Sequence, residues 1–517
     1  MKSAVTRSGP YRKLLSKARH RPSRVKGRSL EEEADADRGR VLFSAPFRRL
    51  QNKAQVFSLE TNAAVRSRLT HSLEVSSIGR FVAQRAINGF SDRKRQALGL
   101  FGEERVFITF VETACLLHDL GNPPFGHFGE LAISDWFHLH SGELTPPDIA
   151  DKQRDRWLKY FGDFLRFDGN PQGFRICTKL QPQETGDLSG MNLTATTLAA
   201  TMKYPWTSDA LGQSRKKAGY FHTERKVVEW LEHELGIQPE RRHPLVYLVE
   251  AADDIAYCVS DIEDGIEKGL VVARQFAEFM EKRLAKSPSW NAASSANTGD
   301  KKDLADVGRA LDRLKEPRFT RAADGADVKR LTAMQDFRSG VIRLLARHAG
   351  VEFRRSHKGV LAGDAEPLLR DGDGAPILSA LKEFAGAALY SSTIVRNREL
   401  TAQAVLNGLL DAYLPIMNCD KKDRFDHILA GRLKDGHDRS IARDSSLMSR
   451  VAAKYLSIYH EELEHLDTAD KNDPGMFTVM ERIFRMRLII DYVTGMTDEF
   501  ALQSYHLITG VQINPCR

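Results

Sequence analysis

The chain has 517 residues, of which 28% are charged and 42% hydrophobic, with a formal net charge of +7. That length allows a large buried core, and no apolar run reaches the ~18 residues of a membrane span, which excludes a helical membrane protein. Five cysteines (Cys115, Cys177, Cys258, Cys419 and Cys516) are scattered without a CxxC pair, which fits reduced thiols in a cytoplasm and no disulfide framework.

Residues 1–28 hold ten Lys and Arg before the first acid, Glu31. With few apolar neighbours they read as a flexible basic arm over residues 1–30, and the absence of an apolar h-region excludes a secretory signal. Arg66 to Val75 opens a helical stretch that runs on through Ile78, Phe81 and Val82, with His71 one turn after Arg68. Next, Val106, Phe107, Phe110, Val111, Ala114 and Leu117 recur at steps of one, three and four, the pattern of a helix with one buried face. His118 and Asp119 fall in its last turn, and Gly121 with Pro123 and Pro124 ends it. Beyond the turn stand His127 and Glu130. A bare His-Asp pair is weak: His437-Asp438 is a second one, preceded by Gly436 and by no apolar periodicity.

Pro244 to Asp261 predicts another helix, with Pro244 at its first position and Leu245, Leu248, Val249, Ala252, Ile255, Ala256, Val259 and Ile262 as the buried stripe. Asp253, Tyr257 and Asp261 recur every fourth residue and share a face beside that stripe, whereas Asp254 lies about 100° around the helix. Polar, small residues from Lys286 to Asp300 read as a loop, and Gly363-Asp364 with Asp371 to Gly374 as a second break. Phe477, Met480, Phe484, Leu488 and Tyr492 then resume the helical period. The chain is therefore mainly α. It divides into the arm (1–30), a catalytic region (31–285), an insertion or linker with helices (286–380) and a helical C-terminal region (381–517).

Imidazole with carboxylate is a ligand set for divalent Mn, Fe, Co or Zn, and less comfortably for Mg. The pair His118-Asp119 resembles the metal centre of HD-domain phosphohydrolases. Its continuation from Asn122 to Glu130 is similar to the bacterial deoxyguanosine triphosphate triphosphohydrolases (dGTPases). So are further blocks from Asp37-Arg38-Gly39-Arg40, through Phe47 to Phe57, Gly169 to Arg175, Met191 to Thr194, Lys203-Tyr204 and Lys216 to Tyr220, to Asp491 through Asp498. They run in order over nearly the whole chain, leaving only the basic start and the segment from about 286 to 380 unmatched.

The resemblance implies an HD-domain helical core with an additional helical C-terminal region. It assigns His71, His118, Asp119 and Asp253 to a divalent metal, Mg, Mn or similar. His127 would exchange a proton with the attacking water or the leaving 5′-oxygen, with Glu130 orienting it; a structural histidine is the alternative. Arg68, Lys203, Tyr204 and Lys217 would hold the triphosphate, with Asn170 beside them; singly, each cation is better explained by a solvated surface. Gln55 and Asp261 would meet the 3′-hydroxyl, with Tyr257 under the sugar excluding a 2′-hydroxyl and Val56 bordering the pocket. Glu399 would accept from the guanine edge, with Arg432 or Arg439 nearby. The implied reaction is metal-assisted attack of water on the α-phosphorus of dGTP, releasing deoxyguanosine and tripolyphosphate and so controlling the dNTP pool. The implied enzyme is a cytoplasmic homo-oligomer, a tetramer or hexamer, with single-stranded DNA as an effector. A broad dNTP triphosphohydrolase or other HD phosphohydrolase is the alternative within this chemistry. A nucleic-acid-binding regulator, suggested by the basic arm, is the alternative outside it.

Overall fold

A computed structural model describes residues 9–59, 62, 64–147, 149–181, 190–288, 290, 300–316, 328–372, 374–390, 393–419, 422–430 and 439–511. The pair His437-Asp438, Arg432 and most of the polar loop after Lys286 lie outside them. Among the described residues the chain is built of helices, and extended backbone pairs only at two isolated antiparallel bridges, Arg19 with Thr194 and Ala54 with Ser67. No described helix is long and apolar enough to cross a membrane.

The side chains bury themselves in two apolar clusters. One is built on the helices Arg68–Asn88, Glu104–Leu117, Pro244–Glu267 and Val328–Arg355. The other is built on His127–Leu139, Asp151–Leu165, Thr393–Met417 and Pro474–Thr494. The Glu104–Leu117 helix feeds both: Phe107, Phe110 and Cys115 enter the first, Leu116 and Leu117 the second. Its buried faces meet where it ends, so His118 and Asp119 emerge at the seam between the clusters. The segment that matched nothing in the sequence supplies the Val328–Arg355 helix, whose Phe337, Val341, Leu345 and Phe353 are buried in the first cluster.

Charge joins the catalytic region to the C-terminal helices. Arg175, 1% exposed, meets Asp491 at 2.9 Å, Glu224 at 2.8 Å and Glu462 at 2.9 Å. One guanidinium with a planar fork of donors can serve several carboxylates, which is why arginine and not lysine occupies such a place.

The basic arm is corrected by the structure. Between Tyr11 and Arg19 it is anchored, because its few apolar residues are spaced to be buried: Tyr11, Leu14 and Leu15 join the first cluster, while Pro22 and Arg24 to Gly27 stay exposed. Arg19 pairs with Glu33 and, at 2.7 Å, with Asp37. Leu14 O accepts from His243 Nε2 at 3.1 Å, and Nδ1 of that same ring accepts from Leu245 N at 3.2 Å, capping the Pro244–Glu267 helix. Counting cations missed these contacts, which depend on partners distant in the chain.

Candidate active site

Ser67 caps the Arg68–Asn88 helix by accepting from Thr70 N while the Thr70 hydroxyl accepts from Ser67 N, so His71 sits in a rigid first turn. His118 Nδ1 lies 2.7 Å from Cys115 O. A carbonyl only accepts, so Nδ1 carries the proton and Nε2 keeps its lone pair, the form a metal ligand needs. Asp253 Oδ1 stands 3.4 Å from His71 Nε2 and 3.5 Å from His118 Nε2, and Asp119 Oδ1 stands 3.7 Å from His118 Nε2. Single ligand atoms of His71, His118 and Asp119 all lie within 4.8 Å of one another.

Both ring nitrogens of His71, and His118 Nε2, are buried without a hydrogen-bond partner. Leaving such atoms unpaired costs free energy that a bound cation would recover. The two nitrogens and two carboxylates therefore fit a divalent metal. Burial alone would raise the Asp119 carboxyl, but Arg68 and the two histidines hold it well below the usual range. Burial likewise opposes ionisation of Asp253, and His118 and His71 outweigh it, lowering the group to about 2. Both stay ionised, as ligation requires.

A strained turn carries the next residues. Phe125 and Gly126 have φ of +64° and +59°, and a Cβ on Gly126 would stand 2.2 Å from Arg68 Nη2, so only glycine lets the turn close over that arginine. Arg68 Nη1 donates to Asp119 Oδ2 at 2.6 Å, and Asn122 Nδ2 to Asp119 Oδ1 at 2.7 Å. Asp498 pins the turn from the C-terminal end of the chain, accepting from Phe125 N at 2.9 Å and Ala54 N at 3.1 Å. Buried Lys53 donates to Asn122 O at 2.6 Å and Thr494 O at 2.8 Å.

His127 leaves the turn with its side chain exposed and its Nδ1 2.7 Å from Glu130 Oε2. Glu130 is buried and its other oxygen accepts from Gly169 N at 2.8 Å. Burial would raise its carboxyl, but the His127 hydrogen bond and the charges of His127 and Lys217 keep it below its ordinary value. A carboxylate on Nδ1 leaves Nε2 of His127 as the nitrogen free for proton transfer.

Two cavities meet at the metal cluster, sharing Asp119, His127 and Asp253. The smaller, about 190 Å³, is lined by Asn170, Lys203, Tyr204 and Lys217. The larger, about 510 Å³, is lined by Gln55, Val56, Arg68, Phe128, Tyr257 and Tyr390. The first sets Lys203 and Lys217 among the carboxylates Asp119, Glu130, Glu250 and Asp253, and the second is aromatic and amide-bearing. Lys203 is held by Glu250 at 3.3 Å and Lys217 by Asp168 at 3.2 Å. Burial would lower both ammonium groups, but Glu250 and Asp168 respectively raise them above the ordinary lysine value, so both remain charged.

Residues 68–145 match the HD domain family, a span that holds His71, His118, Asp119, His127 and Glu130. Over 491 residues the chain is 33% identical to a probable deoxyguanosinetriphosphate triphosphohydrolase of Pseudomonas aeruginosa, covering 93% of each chain. The deoxyguanosinetriphosphate triphosphohydrolase of Yersinia pestis is 33% identical over 507 residues, with 92% of this chain and 94% of the relative covered. That of Salmonella paratyphi A is 32% identical over 512 residues with the same shares. The chain belongs to the deoxyguanosinetriphosphate triphosphohydrolase family.

In this dGTPase-family chain, Asp261 and Glu399 stand apart from the other candidate residues. Asp261 is fully buried and lines neither cavity; its Oδ2 accepts from the Tyr390 hydroxyl at 2.5 Å. Tyr390 stacks on Tyr257 at 6.2 Å and covers the position assigned to Asp261. Glu399 is exposed on the Thr393–Met417 helix and lines neither cavity. Asp254 lines the larger cavity but pairs with Lys382 at 3.0 Å, away from the histidines. Sequence reasoning missed Tyr390, Asn122, Lys53 and Asp498 as site residues. Asn122, Lys53 and Asp498 lie inside blocks already recognised, whereas no motif surrounds Tyr390.

Proposed function

We propose that the chain hydrolyses dGTP to deoxyguanosine and tripolyphosphate with a divalent metal, Mg or Mn, held by His71, His118, Asp119 and Asp253. One observation carries this: the His/Asp cluster stands where a cavity bearing Lys203, Tyr204 and Lys217 meets an aromatic one, a layout that suits a substrate with a triphosphate at one end and a nucleoside at the other. When bound, the metal supplies positive charge for phosphoryl oxygens and lowers the pKa of water.

The protein's own groups do the rest. Lys203, Tyr204 and Lys217 bind the β- and γ-phosphates, with Asn170 beside them, and Arg68 faces the α-phosphate. Gln55 and Tyr390 hold the sugar, Asp261 fixes the Tyr390 hydroxyl, and Tyr257 packs against the ring with Val56 at its edge. His127 transfers a proton at Nε2, giving it to the 5′-oxygen as the bond to the α-phosphorus breaks, and Glu130 stabilises the protonated ring. Placing the phosphates before reaction removes the entropy of alignment, and the fixed charges stabilise the charge that develops.

Chromatography of an early time point tests the bond broken. Deoxyguanosine with tripolyphosphate is expected; dGMP with pyrophosphate, or dGDP with orthophosphate, would overturn the scheme. Running all four dNTPs and GTP tests the base. A broader dNTP activity is favoured by one observation, the exposed position of Glu399 outside both cavities. Within the same reading the enzyme is a cytoplasmic homo-oligomer, a tetramer or hexamer, with single-stranded DNA as an effector. Light scattering with and without oligonucleotide tests the assembly.

A further inference from the structure

A third cavity, about 480 Å³, lies behind the triphosphate pocket. It shares Glu130 and Lys217 with that pocket, so these two side chains form the wall between them. Four cations line it, Arg166, Arg215, Lys216 and Lys217, against two carboxylates, Glu130 and Asp168; Arg215 pairs with Glu240 at 2.8 Å, so Arg166 and Lys216 are the cations of this wall without a carboxylate partner among the described residues. Both carboxylates are already engaged, Glu130 by His127 and Asp168 by Lys217. Arg166 donates to the carbonyls of Ser208 at 2.8 Å and Leu211 at 3.4 Å, which orient the guanidinium without neutralising it. Lys216 is exposed, with no acid within ion-pairing distance among the described residues.

The loop that presents these cations is built. Trp206 Nε1 donates to Lys217 O at 2.8 Å, Gly219 N to Trp206 O at 3.0 Å, and Arg215 lies 4.5 Å over the Trp206 ring. Such bracing holds the charges along one wall rather than leaving them to wander in solvent. The geometry points to a release path: we propose that this groove receives the tripolyphosphate after cleavage, its terminal phosphate passing Lys217 to Arg166 and Lys216.

The proposal rests on the reaction given above. A highly charged product held by Lys203 and Lys217 leaves slowly unless a second set of cations competes for it, and phosphate–cation contacts are the strong, charge-assisted kind. The same chemistry would suit free inorganic polyphosphate, and the test separates the two sources.

Wild type and Lys216→Glu are compared for products, for inhibition by added tripolyphosphate at fixed free metal, and for kcat against the single-turnover rate of cleavage. Lys216 is exposed, so folding is not at stake; Arg166→Ala, checked by its melting midpoint, is the second variant. The inhibition constant for tripolyphosphate is expected to rise roughly tenfold in Lys216→Glu, with initial-rate kcat/KM changing by less than about threefold. Because release and not cleavage is affected, kcat should fall several-fold in both variants while the single-turnover rate of cleavage stays at the wild-type value. Equal inhibition of wild type and both variants, as metal chelation alone would give, overturns the groove. An unchanged kcat in both variants, with weaker inhibition by added tripolyphosphate, assigns the groove to free polyphosphate and overturns the release path. If wild type makes no tripolyphosphate, the functional reading fails instead. Calorimetric binding of tripolyphosphate to wild type and Lys216→Glu then judges the groove by itself, and equal affinities reject it.

Discussion

Adjacent carboxylates on one helix have different neighbours. Asp253 Oδ1 faces both histidines, at 3.4 and 3.5 Å, while Asp254 is turned to Lys382 at 3.0 Å. Asp253→Asn should lose bound metal and lower turnover by more than roughly a thousandfold, because a ligand and its charge go together. Asp254→Asn should keep its metal, and elemental analysis of the two purified proteins checks both. Equal metal loss would mean the wrong carboxylate has been assigned. Asp261 behaves differently again. Burial pushes its carboxyl up to about 8, against the hydrogen bond from Tyr390. An acid whose folded pKa is raised favours folding most below its unfolded value, near 4, and loses that contribution as pH rises towards 8. Asp261→Asn removes the penalty, so at pH 9 its melting midpoint should exceed wild type by roughly 2–5 °C, a gap that shrinks at pH 5. A gap independent of pH would reject this account.

At the scale of elements, the N-terminal segment is a brace. Tyr11, Leu14 and Leu15 are buried, Arg19 is paired with Glu33 and Asp37, and Leu14 O meets the cap of the helix that bears Asp253. Deleting residues 1–28 exposes apolar surface at about 25 cal/mol per Å² and frees that cap. Melting should fall by roughly 5 °C or more, with metal affinity weakened, whereas deleting 1–8 keeps every one of these contacts and should leave both nearly as they are. Thermal melts of the two truncations check this, and a stable 29–517 protein of full activity would restore the picture of a dispensable arm. The helices themselves were legible from local patterns: the one carrying Asp253 spans Pro244–Glu267, begins at the proline and buries the expected stripe. The brace was not legible, since ten cations in 28 residues signal a solvated tail unless their partners are known.

Over the whole molecule, the site is closed by residues far from it in sequence. Asp498 holds Phe125 N and Ala54 N, and Lys53 spans Asn122 O and Thr494 O. Asp498→Ala should leave metal content intact, because no proposed ligand is touched. With two backbone donors unpaired, the turn carrying His127 loosens, and kcat should drop by roughly 10- to 100-fold. Steady-state kinetics beside metal analysis tests this; unchanged kcat would show that the turn holds its shape unaided.

The sequence by itself determined the helical class and the helices that bear the ligands, because periodicity, caps and breakers act over a few residues. Through resemblance it also singled out His71, His118, Asp119 and Asp253 as the proposed ligands, which the fold brings together. Only the tertiary structure decided that Tyr390 covers Asp261, that Glu399 stands outside both cavities, and that Arg19 and Tyr11 belong to the core. Burial and pairing depend on what lies opposite in space, and those partners stand up to several hundred residues away along the chain.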